Sequence, residues 1–264
     1  MSETLLPPPL TAPSHLAAHL KSQGYAVLDA ASVCTLAGVG LAELHALDAD
    51  WASLPPDLYL KDGGRYRRRR HACFVVDGDQ VTRMPHRAHW QPLEYNALHG
   101  GMQRWFEPMS EATTVRAAWM RLLGWLGAVT SGLKGAGNGA GAAAKPWFAE
   151  AHQFRIDTTD GIGRPTPEGA HRDGVDLVAV FLVAREGIKG GETRVFAADG
   201  PSGQRFTLTE PWSLLLLDDE RVIHESTPIQ PLAAAGHRDT LVVTLRARGF
   251  QEDGPAVDAG QVVD

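Results

Sequence analysis

Thr166-Pro-Glu-Gly-Ala-His-Arg-Asp-Gly174 sets two metal-ligating residues, His171 and Asp173, one residue apart. In an extended segment, positions i and i+2 project to the same face, so both side chains can reach one ion, and Gly174 relaxes the backbone after them. Further on, His224 in Val222-Ile-His-Glu225 follows the apolar run Leu214-Leu-Leu-Leu-Asp218 in a β-rich stretch. Three ligands would then come from two neighbouring strand ends. Two imidazoles and one carboxylate on one face of a metal leave its other positions open. The His-x-Asp pair alone is a weak signal among 11 histidines and 31 acids. His152 and His237 also compete for the role of distal ligand, but His152 lies in a strand that could face solvent and His237 beside a glycine in a turn.

Outward from this centre, strands are expected at Ala151 to Asp157, Asp176 to Ala184, Thr193 to Ala197, Arg205 to Thr209, Ser213 to Leu217, Val222 to His224 and Thr240 to Arg246. Turns at Gly190-Gly191 and Asp199 to Gly203 punctuate them. Before them, Tyr25 to Leu28 reads as a strand, residues 35–48 as a helix, and Cys73 to Val76 with Gln80 to Thr82 as a hairpin turning on Asp77-Gly-Asp79. Val115, Ala118, Trp119, Leu122, Leu123 and Leu126 recur at helical spacing and predict the longest helix, from Glu111 to about Ala128. Short strands after helices gathered in the first half indicate a mainly β fold with flanking helices (α+β), a jelly roll of the cupin-like, double-stranded β-helix kind.

The 264 residues fit a single domain. Its parts are a proline-rich flexible leader (1–13), a helix-rich half with early strands (14–150), the metal-binding jelly-roll core (151–248) and an acidic tail (249–264). Gly135-Ala-Gly-Asn-Gly-Ala-Gly141 cannot hold regular structure and reads as a loop, not a phosphate cradle, since no Gly-Lys-Ser/Thr closes it.

A composition 44% apolar and 21% charged is ordinary globular usage. The net charge of -6 gives no general attraction to nucleic acid or anionic lipid, so neither is an expected partner. Arg65-Tyr-Arg-Arg-Arg-Arg-His71 is a local exception. Strand alternation would split its arginines between two faces, and it reads as a solvated strand edge. Cys34 and Cys73 have no metal-ligand spacing, and no run approaches the ~20 apolar residues that span a bilayer. A cytoplasmic location is expected; the oligomeric state is not indicated.

Fourteen residues after His224 stands Arg238, with Thr240 two further on. A barrel interior accepts a guanidinium only if its charge is paired. Its planar fork matches a carboxylate in bidentate fashion, and a hydroxyl on the same face completes an anion site. That pair would suit the far carboxylate of 2-oxoglutarate, whose 2-oxo acid end would chelate the metal.

Together these residues resemble the 2-oxoglutarate/Fe(II)-dependent dioxygenase superfamily. Pro167 to Asp176, Gly190-Gly-Glu192 and Tyr95-Asn-Ala-Leu-His-Gly-Gly101 further resemble the bacterial isoleucine dioxygenase-like subfamily of free amino-acid hydroxylases, over roughly Arg65 to Arg246. The resemblance implies His171, Asp173 and His224 as iron ligands, and Arg238, with Thr240, as the anchor for 2-oxoglutarate. It implies Fe(II), 2-oxoglutarate and O2 as cofactor and co-substrates, and hydroxylation of a small molecule, a free aliphatic L-amino acid. Asp173 is not the small residue that leaves a halogenase room for chloride. The alternative is a non-catalytic, cupin-like metal- or ligand-binding stress-response protein.

An amino acid needs its two charged groups held. In Ala151-His-Gln-Phe-Arg-Ile-Asp157, alternation groups Gln153, Arg155 and Asp157 on one face, and either face can look inward. If the polar one does, Arg155 would take the carboxylate and Asp157 the ammonium.

Overall fold

The computed structural model describes residues 5–135 and 145–251. A 3-10 turn at Pro13–His15 leads into α1 (Leu16–Gln23), β1 (Tyr25–Leu28), α2 (Ala30–Ala37) and α3 (Leu41–His45), and a second 3-10 turn covers Asp48–Ser53. Next come β2 (Arg67–Asp77), β3 (Gln80–Arg83), α4 (Glu111–Thr114) and α5 (Ala117–Lys134). The strand-rich half holds β4 (Trp147–Asp157), β5 (Leu177–Glu186), β6 (Ile188–Gly190), β7 (Thr193–Ala197), β8 (Gly203–Phe206), β9 (Leu214–Leu217), β10 (Val222–Ser226), β11 (Ile229–Pro231) and β12 (His237–Arg246).

Seven strands form the large sheet in the order β1-β9-β5-β12-β4-β2-β3; β10-β7-β8 and β11-β6 make the smaller sheets. This is the jelly-roll double-stranded β-helix with helices outside. One face of the large sheet is apolar and carries the helices: Ala149, Ala151, Leu241, Val243 and Leu245 pack against Trp119, Leu122, Leu123 and Leu126 of α5. Burying each of these large side chains contributes about 1.5–3 kcal/mol. The other face looks into the barrel: along β1, β9 and β5 it is apolar, with Val27, Val178, Leu182, Leu215 and Leu217 packed on Val195, Phe206 and Val222 of the β10-β7-β8 sheet, and along β4 and β2 it carries Glu150, His152, Arg67 and Arg69. Trp51 ties the two central strands together, its indole N–H donating to the carbonyls of Phe154 (3.0 Å) and Thr240 (3.2 Å).

Four local expectations change. The helix expected over 35–48 breaks because Gly38, at φ +64°, ends α2 and the chain restarts at Leu41. The long helix divides at Val115, 62% exposed: Thr113 is held by Asp50 and Thr114 by Arg83, and α5 then runs on to Lys134. The described part of the leader is docked, since Thr11 N–H donates to Val27 O and Leu6 O accepts from Thr207 N–H. Likewise the tail begins packed, Phe250 lying against Phe148 and under Arg87. Residues 136–144, nearly all of the glycine-rich segment, lie outside the described residues. Among those described, no single helix is long and apolar enough to cross a membrane.

Candidate metal centre and substrate pocket

His171 and His224 meet through their main chains, each N–H donating to the other's carbonyl at 3.0 Å. Asp173 follows on the same face. Its Oδ1 lies 3.8 Å from His171 Nε2 and its Oδ2 lies 3.9 Å from His224 Nε2, and the three donor atoms fall within 4.8 Å of one another. Such spacing suits three ligands around one ion. His171 Nδ1–H donates to Gly169 O (2.9 Å), which leaves Nε2 with its lone pair toward the centre. Burial, reinforced by His171, holds His224 well below the usual imidazole pKa and therefore neutral, the state a metal requires. Burial opposes protonation of His171 too, but Asp173 and Glu168 prevail and raise its pKa.

The loop that carries the Asp173 carboxylate is pinned from beneath. Asp219 accepts from the backbone N–H groups of Asp173, Gly174 and Val175 at 2.7–3.1 Å. Burial and the Asp173 charge push Asp219 up to about 7. Gly174 sits at φ +75°, and a Cβ there would meet the ring of Tyr95 at 2.4 Å, so the segment after the ligands must be glycine.

Arg238 and Thr240 line the same cavity, 5% and 3% exposed. Strand alternation sends Asp239 the other way, where Arg155 takes it in a bidentate pair at 2.8 and 2.6 Å. Among the described residues, no carboxylate stands within ion-pair distance of the Arg238 guanidinium. Burial and Arg185 push it down to about 10. A guanidinium does not give up its proton in a protein, so this direction expresses a demand for an anion. The triad thus fits Fe(II), and the arginine and hydroxyl fit a carboxylate.

The expectation for β4 fails. Phe148, Glu150, His152, Phe154 and Ile156 line the cavity, while Gln153, Arg155 and Asp157 face away from it. Gln153 donates to Asp50 (3.1 Å), and Asp157 pairs with Arg68 (3.5 Å). The registry of Asp239 opposite Arg155 decides this, because the pair shares a face that cannot also be the one carrying Arg238.

Two further expectations are corrected. His152 is 3% exposed, packed between His71 and His89 (ring centroids 4.5 and 4.6 Å away). The basic run is not a solvated edge: β3 pairs with β2 only from Phe74 onward, and beside Arg67 to His71 loop segments cover the strand, Asp57 N–H donating to Arg67 O (2.9 Å) and Arg69 N–H to Pro55 O (3.0 Å), while Arg67, Arg69 and His71 all point inward, 1–5% exposed. Arg67 pairs with Asp57 (2.7 Å). Arg69 stacks between Phe106 and Phe154, 3.6 and 4.4 Å from their centroids. The period-2 alternation of arginines was the available signal. His237 is half-buried beside Asp239 (3.4 Å).

His71, His89, Glu150 and His152 also bring donor atoms within 4.8 Å of one another. Their protons argue for a hydrogen-bond network instead of a second metal site. Arg69 donates to His152 Nδ1 (2.7 Å), so the neutral ring keeps its proton on Nε2 and has no lone pair to offer there. Metal-bound imidazoles normally donate from the second nitrogen; here that nitrogen faces a donor. Glu150 Oε2 accepts from His89 (2.5 Å) and His71 (3.2 Å). Burial pushes all three imidazoles down, His89 to about 4.

The family model for 2OG-Fe dioxygenase matches residues 48–244. The chain belongs to that family: it is an Fe(II)- and 2-oxoglutarate-dependent dioxygenase that uses O2. It is also similar to a solved bsmA homolog from Methylobium petroleophilum PM1, at 50% identity, with 96% of this chain and 100% of that one covered and a TM-score of 0.86. The fold is shared with IDO from Bacillus thuringiensis (15% identity, 94% and 99% covered, TM-score 0.70). It is shared too with the Fe(II)/(alpha)ketoglutarate-dependent dioxygenase TqaL (20% identity, 89% and 86% covered, TM-score 0.66). No curated protein matches this chain.

Proposed function

We propose that the enzyme hydroxylates a free aliphatic L-amino acid, with His171, Asp173 and His224 holding Fe(II) and Arg238 with Thr240 receiving the distal carboxylate of 2-oxoglutarate. The observation that carries this reading is a second buried cation in the cavity that has no carboxylate partner among the described residues. Arg104 lines it as Arg238 does, beside apolar surface from Phe148, Phe154, Val175 and Val242. One buried arginine is accounted for by the co-substrate; the other suits a second small anion, and the apolar surface suits its hydrocarbon part.

With Fe(II) bound, the centre couples decarboxylation of 2-oxoglutarate to succinate and CO2 with insertion of one atom of O2 into a substrate C–H bond. The protein's part is to fix three ligands, hold the co-substrate and exclude water. Phe250 and Gln251 border the cavity, and Gln251 Nε2 donates to the carbonyls of Asp173 (3.0 Å) and Gly174 (3.1 Å). The non-catalytic alternative leaves the buried, uncompensated Arg238 without a purpose. The cytoplasmic setting expected from the sequence belongs to the same proposal.

The test is a panel of free L-amino acids scored for stimulated succinate formation and a product heavier by one oxygen. Leucine, isoleucine or methionine is expected to stimulate. Stimulation by a peptide or a nucleobase, with none from the panel, would contradict the substrate class and leave the dioxygenase assignment intact.

A further inference from the structure

Among the described residues, with Arg238 left to the co-substrate and Arg246 turned to the carbonyls of Arg248, Gly249 and Phe250, one buried cation and one largely buried anion of this cavity have no oppositely charged hydrogen-bond partner. Asp57 takes Arg67 and stands 3.8 Å from Arg69. Arg69 is further occupied by His152 and its two aromatic rings, and Glu150 accepts from His89 and His71. Arg104 and Glu168 remain.

Arg104 is 2% exposed and lines the cavity. Its Nη2 donates to Gln91 Oε1 (3.0 Å), its Nε has no partner, and no described carboxylate lies within ion-pair distance. Burial and Arg67 push it down to about 10, against Asp57 and Glu168. Glu168 lines the same cavity, and its Oε2 is buried with no hydrogen-bond partner. Its near neighbour is His171 Nε2 at 3.7 Å, the nitrogen that faces the metal position.

The placement of both is built in. The backbones of His89 and Arg104 are paired by two hydrogen bonds of 2.9 Å, closing the intervening residues into a loop. Within it, Asn96 Nδ2 donates to Gln91 Oε1 (3.2 Å), and Gln91 Nε2 donates to Asp173 Oδ1 (3.2 Å). A single amide therefore spans from Arg104 to a triad carboxylate, which keeps any anion held by Arg104 within a small molecule's length of the metal position. Glu168 stands three residues before His171, in the same Pro167 to Asp176 segment that carries the ligands.

We propose that Arg104 and Glu168 form the head-group site of the substrate, Arg104 receiving an α-carboxylate and Glu168 an α-ammonium. This rests on the amino-acid reading above and replaces the Arg155 and Asp157 pair. A zwitterion compensates both charges at once, whereas a simple carboxylic acid or amine leaves one of them buried and unmet. It follows that the site selects against substrates lacking either group.

The test uses full-length protein loaded anaerobically with Fe(II) and 2-oxoglutarate, with substrate binding read as a perturbation of the visible band of that complex. The probes are L-leucine, L-isoleucine and L-methionine. The best binder is compared with its analogue lacking the ammonium (4-methylpentanoate for leucine) and its analogue lacking the carboxylate (3-methylbutylamine). Each analogue is expected to bind wild type about ten- to a hundredfold more weakly than the amino acid, the range for a lost charge-assisted hydrogen bond. In Glu168→Gln the amino acid should fall to the level of its deaminated analogue, whose own binding stays put. Arg104→Met should do the same for the carboxylate. If wild type binds amino acids and neither substitution changes that, the head-group assignment is overturned while the substrate reading stands. If wild type binds none of the panel, both fall. Loss of Fe(II) from Glu168→Gln would make Glu168 a metal ligand and overturn its role here.

Discussion

His171 and His224 are joined backbone to backbone, each N–H donating to the other's carbonyl at 3.0 Å, with their rings 4.6 Å apart. The main chain therefore sets the spacing of the two imidazoles, and side-chain removal leaves that bridge intact. His171→Ala, Asp173→Ala and His224→Ala are each expected to fold, by circular dichroism, and to form no Fe(II)-dependent succinate. His152→Ala and His237→Ala should still bind Fe(II). Full activity in any triad variant would remove that residue from the centre.

Arg238→Ala should raise the 2-oxoglutarate concentration for half-saturation by about two to four orders of magnitude, since losing one partner of a buried charge pair costs ~3–5 kcal/mol. Fe(II) affinity without co-substrate should not move. Equal weakening of both would mean that Arg238 is structural.

Arg155→Ala separates the two faces of β4. Asp239, 2% exposed, would be left without its bidentate partner, a loss of about 3 kcal/mol or more in stability, read from urea unfolding. Substrate stimulation per folded molecule should be unchanged. Lost stimulation at unchanged stability would return Arg155 to the substrate.

Acid should destabilise the protein through the network around Glu150. Burial lowers His71, His89 and His152 below the ordinary imidazole value of 6.5, His89 to about 4. The unfolded chain thus takes up protons near pH 6.5 that the folded chain refuses. Stability is fully present above that pH and is lost as pH falls from about 6.5 toward 4. Melting temperatures of wild type from pH 7.5 to 4.5 should fall through this window; a flat or rising profile would mean that the network is charged when folded.

The jelly roll and the residues of its centre were legible because they depend on local rules. Alternation carries His171 and Asp173 to one face, and a buried arginine needs a counter-charge. What escaped depends on partners distant in sequence. Both faces of β4 are largely buried, so hydrophobicity could not tell Gln153, Arg155 and Asp157 from Glu150, His152 and Phe154; the pairing of Arg155 with Asp239 on β12 decides it. Arg67 and Arg69 looked like solvated charge because Asp57, Phe106 and Phe154, which make their burial tolerable, lie 10 to 85 positions away in the chain. The break at Val115 is likewise imposed from outside the helix, by Asp50 and Arg83.

Anaerobic titration of Fe(II), with and without 2-oxoglutarate, tests the shared centre most directly. One Fe(II) per chain should bind, and a weak visible charge-transfer band should appear only when 2-oxoglutarate is present. The band should persist in His152→Ala, vanish in His224→Ala, and in Arg238→Ala require far more 2-oxoglutarate. A band that survives in His224→Ala and disappears in His152→Ala would contradict the assignment and move the metal to the cluster around Glu150.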